Sequence, residues 1–178
     1  MAPLGCDKSA RHEMGVVYEM SSAFTKDVDE GGVLPDVGER PVSAARNLVT
    51  RQGMAMIDAE IAFAHESMAK AEAVADREQI ALAARDLRYW SHRRETAELS
   101  IPEPDSDVIR FGMTVNLQSP DGTKHVTWKI TGDDEADAKH GKISHVSPMA
   151  IALFGKKAGD GINLNDHEWE VASFSVDE

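Results

Sequence analysis

Ser100-Ile101-Pro102-Glu103-Pro104-Asp105-Ser106-Asp107 divides this chain into two periodicities, and the change of period decides the fold. Two prolines within three residues stop a helix arriving from the N-terminal side, because proline has no amide hydrogen and its ring clashes with the preceding turn. They also make a short, stiff linker, taken as residues 101–108.

N-terminal to the linker, Met54, Ile57, Ile61, Ala64, Met68, Ala71 and Ala75 recur at alternating spacings of three and four. That is the apolar stripe of one helix face. Thr50 stands where an N-cap is needed. A second stripe runs Ile80, Ala83, Leu87, Trp90, Arg94 and Ala97. Two helices of about 24 residues, or ~36 Å each, with a break near Ala73 to Glu78, predict an antiparallel helical hairpin over 47–100.

C-terminal to the linker the period is two. Met113, Val115 and Leu117 alternate with polar residues, Ser119-Pro120-Asp121-Gly122 has turn chemistry, and Val126, Trp128 and Ile130 complete a β-hairpin. Lys142 to Val146, Ile162 to Leu164 and Glu168 to Val176 supply further strands. Ser147 can cap a short helix with Pro148 at its first position and Gly155 just past its end. The fold class expected is α+β: a coiled-coil hairpin followed by a small antiparallel β domain with one short helix, over 109–178. Residues 1–46 show no sustained periodicity and read as a disordered or extended tail, with Met20 as a second possible translation start.

The chain has 178 residues and a net charge of −12. The C-terminal segment 101–178 carries seven basic and fourteen acidic residues, the most acidic part. Such a surface is wrong for free-standing duplex DNA binding, which needs basic groups to displace counterions. Nucleic acid would be reached through another protein. The longest apolar run, Met149 to Phe154, is too short to span a membrane. Cys6 is the single cysteine, and the first twenty residues lack a secretory pattern. Both favour a reducing, cytoplasmic compartment. The seven histidines have no metal-ligand spacing and no nucleophile motif is framed. Trp128, Trp169 and Phe174 are assigned to the sheet core rather than to stacking on bases.

Several segments together resemble the Gre transcript cleavage factors. They are Ile109-Arg110-Phe111-Gly112-Met113-Thr114-Val115, Ile130-Thr131-Gly132-Asp133-Asp134-Glu135-Ala136-Asp137, Ile143-Ser144, Ser147-Pro148-Met149-Ala150-Ile151-Ala152-Leu153 and Gly155-Lys156-Lys157-Ala158-Gly159-Asp160, in matching order and spacing. Val49-Thr50-Arg51-Gln52-Gly53 resembles the family's opening before its first helix. The resemblance implies an FKBP-like C-terminal domain that docks on bacterial RNA polymerase outside its secondary channel. It implies a coiled coil that enters the channel, with tip carboxylates helping to hold Mg²⁺ in the polymerase active centre so that backtracked RNA is hydrolysed. The chain itself would be no enzyme, would hold no cofactor alone, and would meet RNA and DNA only within the transcription complex. A monomer bound to polymerase is the simplest expectation.

Carried onto this sequence, the tip acids are Asp76 and Glu78, the metal-holding pair only when assembled with polymerase. Oxygen ligands suit Mg²⁺, and one or two carboxylates bind it weakly without further ligands. A second reading makes the same two residues first-turn acids that complement a helix dipole. Arg77, Arg85 and Arg88 are the RNA-contacting candidates, against the alternative of a solvated, ion-paired helix face. Asp133, Asp134, Glu135, Ser147, Pro148 and Met149 are the polymerase-binding candidates. The tip departs from the family by having one residue fewer between its acids, and the rod is shorter by ~9 residues, or ~13 Å. A short rod resembles the Rnk-type regulators, which bind polymerase without stimulating cleavage. A prolyl isomerase or peptide-binding module on the FKBP-like fold is the distant alternative, because the domain offers few aromatics to surround a proline.

Overall fold

The computed structural model describes residues 34–164 and 167–176. The possible start at Met20 and residues 1–33 of the expected tail lie outside the described residues. The described residues form one compact unit.

After an irregular segment, β1 (Leu48–Val49) leads into α1 (Arg51–Ala73), and α2 (Arg77–Glu95) returns to β2 (Glu98–Leu99). Helix α1 starts as expected: Thr50 is extended, and its hydroxyl accepts from the Gly53 amide at 2.9 Å. The buried positions Gly53, Ile57, Ala64 and Ala71 follow the stripe, with Met54, Ile61 and Met68 half-buried between them. The expected second helix is longer than the one found. Thr96 closes α2, and Ala97 leaves it, because residues 98–99 pair in parallel with β1 instead. The helices are therefore 23 and 19 residues long, ~34 and ~28 Å at 1.5 Å per residue.

The remaining strands are β3 (Met113–Gln118), β4 (His125–Thr131), β5 (Lys142–Ser144), β6 (Gly161–Leu164) and β7 (His167–Val176), with α3 (Pro148–Leu153) between β5 and β6. A 3-10 turn at Ala138–His140 precedes β5. They form one sheet in the order β5-β4-β3-β7-β6. Three of its four pairings are antiparallel, as expected. The fourth, β4 with β5, is parallel. The loop 132–141 crosses back before β5 begins, and a residue-by-residue reading of alternation carries no strand direction. Between Asn116 and Leu117 the β3–β7 register shifts by one, which bulges β7 at Ala172.

The core lies on one face of this sheet: Ile109, Phe111, Val115, Leu117, Ile130, Ile143, Ile162 and Val171, closed at one end by Ala150 and Leu153 of α3. Trp128, Trp169 and Phe174 pack against it. A separate small cluster of Val49, Ile57 and Trp90 fills the base of the hairpin.

Of the segment expected to be disordered or extended, residues 34–47 run along α2 without regular secondary structure up to Asn47. Leu34 to Glu39 share a groove with Ala81, Ala84 and Arg88. Farther along, the Asn47 side-chain amide donates to the Arg93 carbonyl at 2.7 Å.

Candidate polymerase-facing surfaces and the joint between them

At the hairpin tip, Val74 closes α1 and Ala75 adopts the left-handed conformation, φ 54°. The Asp76 amide then donates to the Ala71 carbonyl and the Ala75 amide to Glu72. This is a Schellman turn with alanine at the position that glycine usually takes. Asp76 caps α2, its Oδ1 accepting from the Gln79 amide at 3.1 Å. Glu78 follows in the first turn. Both acids are exposed. The geometry therefore gives them the dipole-complementing role, and it leaves both carboxylates on the outermost turn. Two carboxylates are short of a full metal site, and no group of three potential ligands converges among the described residues.

Two of the three basic candidates are engaged by acids. Arg85 bonds Asp86 Oδ1 through Nε and Nη2 at 3.0 and 2.8 Å. Arg88 bonds Glu39 Oε1 through Nε and Nη2 at 3.1 and 2.6 Å. Arg77 is half-buried and also has a partner. Two readings stand for these arginines, RNA contact and an ion-paired helix face, and the Arg85–Asp86 and Arg88–Glu39 pairs have the geometry of the second. Glu39 reaches that face from the segment 34–47, which periodicity within the helix does not reveal.

The acidic loop, expected to face the polymerase, is engaged within the chain. Asp133, Asp134 and Glu135 turn inward and join the hairpin to the sheet. Asp133 accepts from the Ser144 hydroxyl. Asp134 Oδ2 pairs with Arg93 Nε at 2.5 Å, and its Oδ1 accepts from the Tyr89 hydroxyl at 2.5 Å. Glu135 Oε2 accepts from the Thr50 hydroxyl at 2.6 Å, at the start of α1. Lys142 Nζ lies 3.5 Å from Glu135 Oε1. One carboxylate thus grips each helix. Close approach makes this possible. A Cβ on Gly132 would stand 2.4 Å from the Leu48 carbonyl oxygen, and one on Gly53 would stand 2.7 Å from Glu135 Oε2. Burial pushes the Tyr89 phenol up to about 12, helped by its bond to the Asp134 carboxylate.

Around α3, Ser147 and Met149 are also used internally. Ser147 Oγ accepts from the Ala150 amide at 3.2 Å, and Met149 packs on the core. Pro148 alone of the three faces outward, beside exposed Val146, Ile151 and Phe154. This apolar face is the larger part of what sequence reading missed. It was visible as Pro148, Ile151 and Phe154 recurring at spacings of three, a row beside buried Ala150 and Leu153.

Residues 103–175, the linker's end and the sheet domain with its acidic loop and α3, match the family described as transcription elongation factor GreA/GreB, C-terminal. Transcription elongation factor GreA of Rhodopseudomonas palustris strain TIE-1 is 46% identical over 66 residues, 37% of this chain and 42% of that protein. Over residues 103–175 the chain is therefore similar to the Gre factors' C-terminal domain. GreA of Agrobacterium fabrum is 42% identical over 80 residues, 45% of this chain and 49% of the relative. The matched part thus spans about half the length, or less, of the curated relatives. Among solved structures, the GreA factor homolog 1 (Gfh1) of Thermus thermophilus is 21% identical over 71% of this chain and 97% of that one, with a TM-score of 0.36. GreA/GreB of Nitrosomonas europaea is 16% identical over 72% and 98%, with a TM-score of 0.38.

The Gre-type domain carries the acidic loop. Its partner Arg93 lies on the hairpin, outside the match. The second stripe placed Arg94 on the inner face, one position too late. Arg93 is three residues after Trp90, so both spacings fit a helix face, and only Arg93 meets Asp134. Arg94 points outward to Asp58 at 2.6 Å. No helix among the described residues is long and apolar enough to cross a membrane.

Proposed function

We propose that this chain acts in the bacterial cytoplasm as a transcription elongation factor that binds RNA polymerase at its secondary channel and promotes cleavage of backtracked RNA. The observation that carries the reading is a Gre-type C-terminal domain joined to a two-helix rod whose outermost turn bears Asp76 and Glu78. The domain docks through the apolar face of Val146, Pro148, Ile151 and Phe154. The rod presents the two tip carboxylates to the polymerase active centre.

Hydrolysis of a phosphodiester with two metal ions needs both the attacking and the leaving oxygen stabilised. Mg²⁺ would supply that charge stabilisation, with most of its oxygen ligands coming from the polymerase. Asp76 and Glu78 would add carboxylate oxygens from outside, and the hairpin's base would hold them in place. RNA and DNA are met only within that complex.

A second reading keeps docking without cleavage, as a Rnk-type occupant of the channel. Two observations favour it: Asp76 is used as a helix cap, and α2 has only 19 residues.

Backtracked elongation complexes incubated with the wild type and with Asp76→Ala/Glu78→Ala separate the two. Short 3′ RNA released by the wild type and not by the variant supports cleavage through the tip. No release by the wild type, with polymerase still retained in pull-down, leaves the docking-only reading. Docking is tested with Ile151→Asp and Phe154→Asp, which alter exposed positions. Undiminished retention of polymerase by both variants removes the α3 face from the proposal.

A further inference from the structure

We propose that residues 34–47 form a stay that fixes the aim of the helical hairpin, with Arg40 as its positioning residue. Ala81 and Ala83 are both buried, at 4% and 6% exposure. They are two residues apart on α2, so they point to different sides of it. Helix α1 can cover only one of them. Ala81 lines the groove shared with Leu34 to Glu39, so the second side is covered by the segment itself.

The attachments are spread along α2. Glu39 holds Arg88, and Asn47 holds the Arg93 carbonyl and, at 3.1 Å, the Thr96 hydroxyl. Between them, the Arg40 guanidinium stacks 3.8 Å from the Tyr89 ring centroid and 4.8 Å from that of Trp90. Its Nη1 is 3.7 Å from Asp86 Oδ1. Tyr89 in turn donates to Asp134 on the sheet domain. Arg40 therefore presses on the one aromatic residue of α2 that is bonded across the joint.

The rod needs such a support. Beyond Ile57 and Trp90 at its base, the fully buried apolar positions of the two helices are alanines, and the larger Ile61, Met68 and Leu87 are only half-buried. Small side chains give a thin contact with little to resist bending. A lever of ~28 Å that swings by ~10° moves its tip by about 5 Å. Catalytic geometry tolerates about a tenth of that. A stay that runs beside α2 and is anchored at β1 resists the swing. Its consequence for cleavage rests on the function proposed above, whereas the orientation itself belongs to the free chain.

The test is the distance distribution between spin labels at Val74→Cys on the tip and His125→Cys on β4, in the full chain with Cys6→Ser. One narrow population is expected for the parent. Arg40→Ala is expected to broaden it at least twofold while far-UV circular dichroism stays unchanged, and Arg40→Lys to restore most of the narrowness by keeping a cation over the rings. Tyr89→Phe keeps the stack and loses the bond to Asp134, so it too is expected to broaden the distribution. Adding Arg40→Ala to it is expected to do little more. Should Arg40→Ala fail to fold, Arg40→Gln replaces it. A lowered melting temperature with a distribution superimposable on the parent's makes the segment merely stabilising and overturns the proposal. In cleavage assays, a fall in rate at saturating factor with unchanged half-saturation is expected for the Arg40 variant. An inactive wild type there speaks against the proposed function and leaves the distance result standing.

Discussion

Arg93 and Asp134 form an ion pair across the joint, with 3% and 11% of their side chains exposed. Arg94 and Asp58 form one of similar length on the hairpin surface, with 47% and 54% exposed. Distance does not distinguish them; solvent does. Removing Asp134 leaves a buried guanidinium without its carboxylate, which costs about 3–5 kcal/mol. Removing Asp58 exposes a cation that water already solvates, and costs less than about 1 kcal/mol. Urea unfolding of Asp134→Ala and Asp58→Ala should show this contrast. Equal losses would mean that water reaches the joint.

Gly53 offers a sharper test of the second grip. Alanine in the first turn of a helix normally replaces glycine with a gain of up to about 1 kcal/mol. Here the new Cβ would meet Glu135 Oε2 at 2.7 Å. The carboxylate is buried and bonded to Thr50, so it cannot swing aside cheaply. Gly53→Ala is expected to destabilise the chain. In a Glu135→Ala background the same change should become favourable. A double-mutant cycle measures this, and simple additivity of the two changes rules out the contact.

How much of this was legible follows from the range of each signal. The cap at Thr50, the α1 stripe, the Pro148 start of α3 and the alternation of β3 are local, written in residues within a few positions of one another. All of them were readable. The inward turn of Asp134 and Glu135 was not, because its cause lies 41 and 85 residues away, at Arg93 and Thr50. A run of acids between two strands has the composition of a solvent loop, and only the partner converts it into a joint. The packing of residues 34–47 was hidden for the same reason. The segment has no period of its own, and its order comes from Arg40 finding Tyr89 and Glu39 finding Arg88. Gly53 stands in a family-like opening, but its reason, room for Glu135, appears only in three dimensions.

The tip turn makes a prediction with the opposite sign. Ala75 sits at φ 54°, where a Cβ crowds the following carbonyl at a cost of about 1–2 kcal/mol. Glycine removes that crowding but loses more freedom on folding. Ala75→Gly should therefore raise stability by about 1 kcal/mol at most, seen as a modest rise in melting temperature. It should leave Asp76 capping α2. A fall in melting temperature would show that the two helices are not joined by a left-handed turn at Ala75.

Tyr89 links the joint to alkaline pH. Its phenol is pushed up to about 12, first by burial and then by donating to Asp134. An unfolded tyrosine ionises near ~10. The folded value is the higher one, so the folded chain holds this proton more tightly. The stability it contributes is complete below pH ~10 and is lost as pH rises from there towards 12. Of the two tyrosines in the chain, one should therefore give its tyrosinate absorbance only near pH 12. Tyr89→Phe should be less stable at neutral pH, because Asp134 loses a donor, and should then decline less steeply than the parent between pH 10 and 12. Lysines titrate in the same range in both chains and cancel in the difference. Parallel declines of parent and variant would show that the Tyr89 proton is not held by the joint.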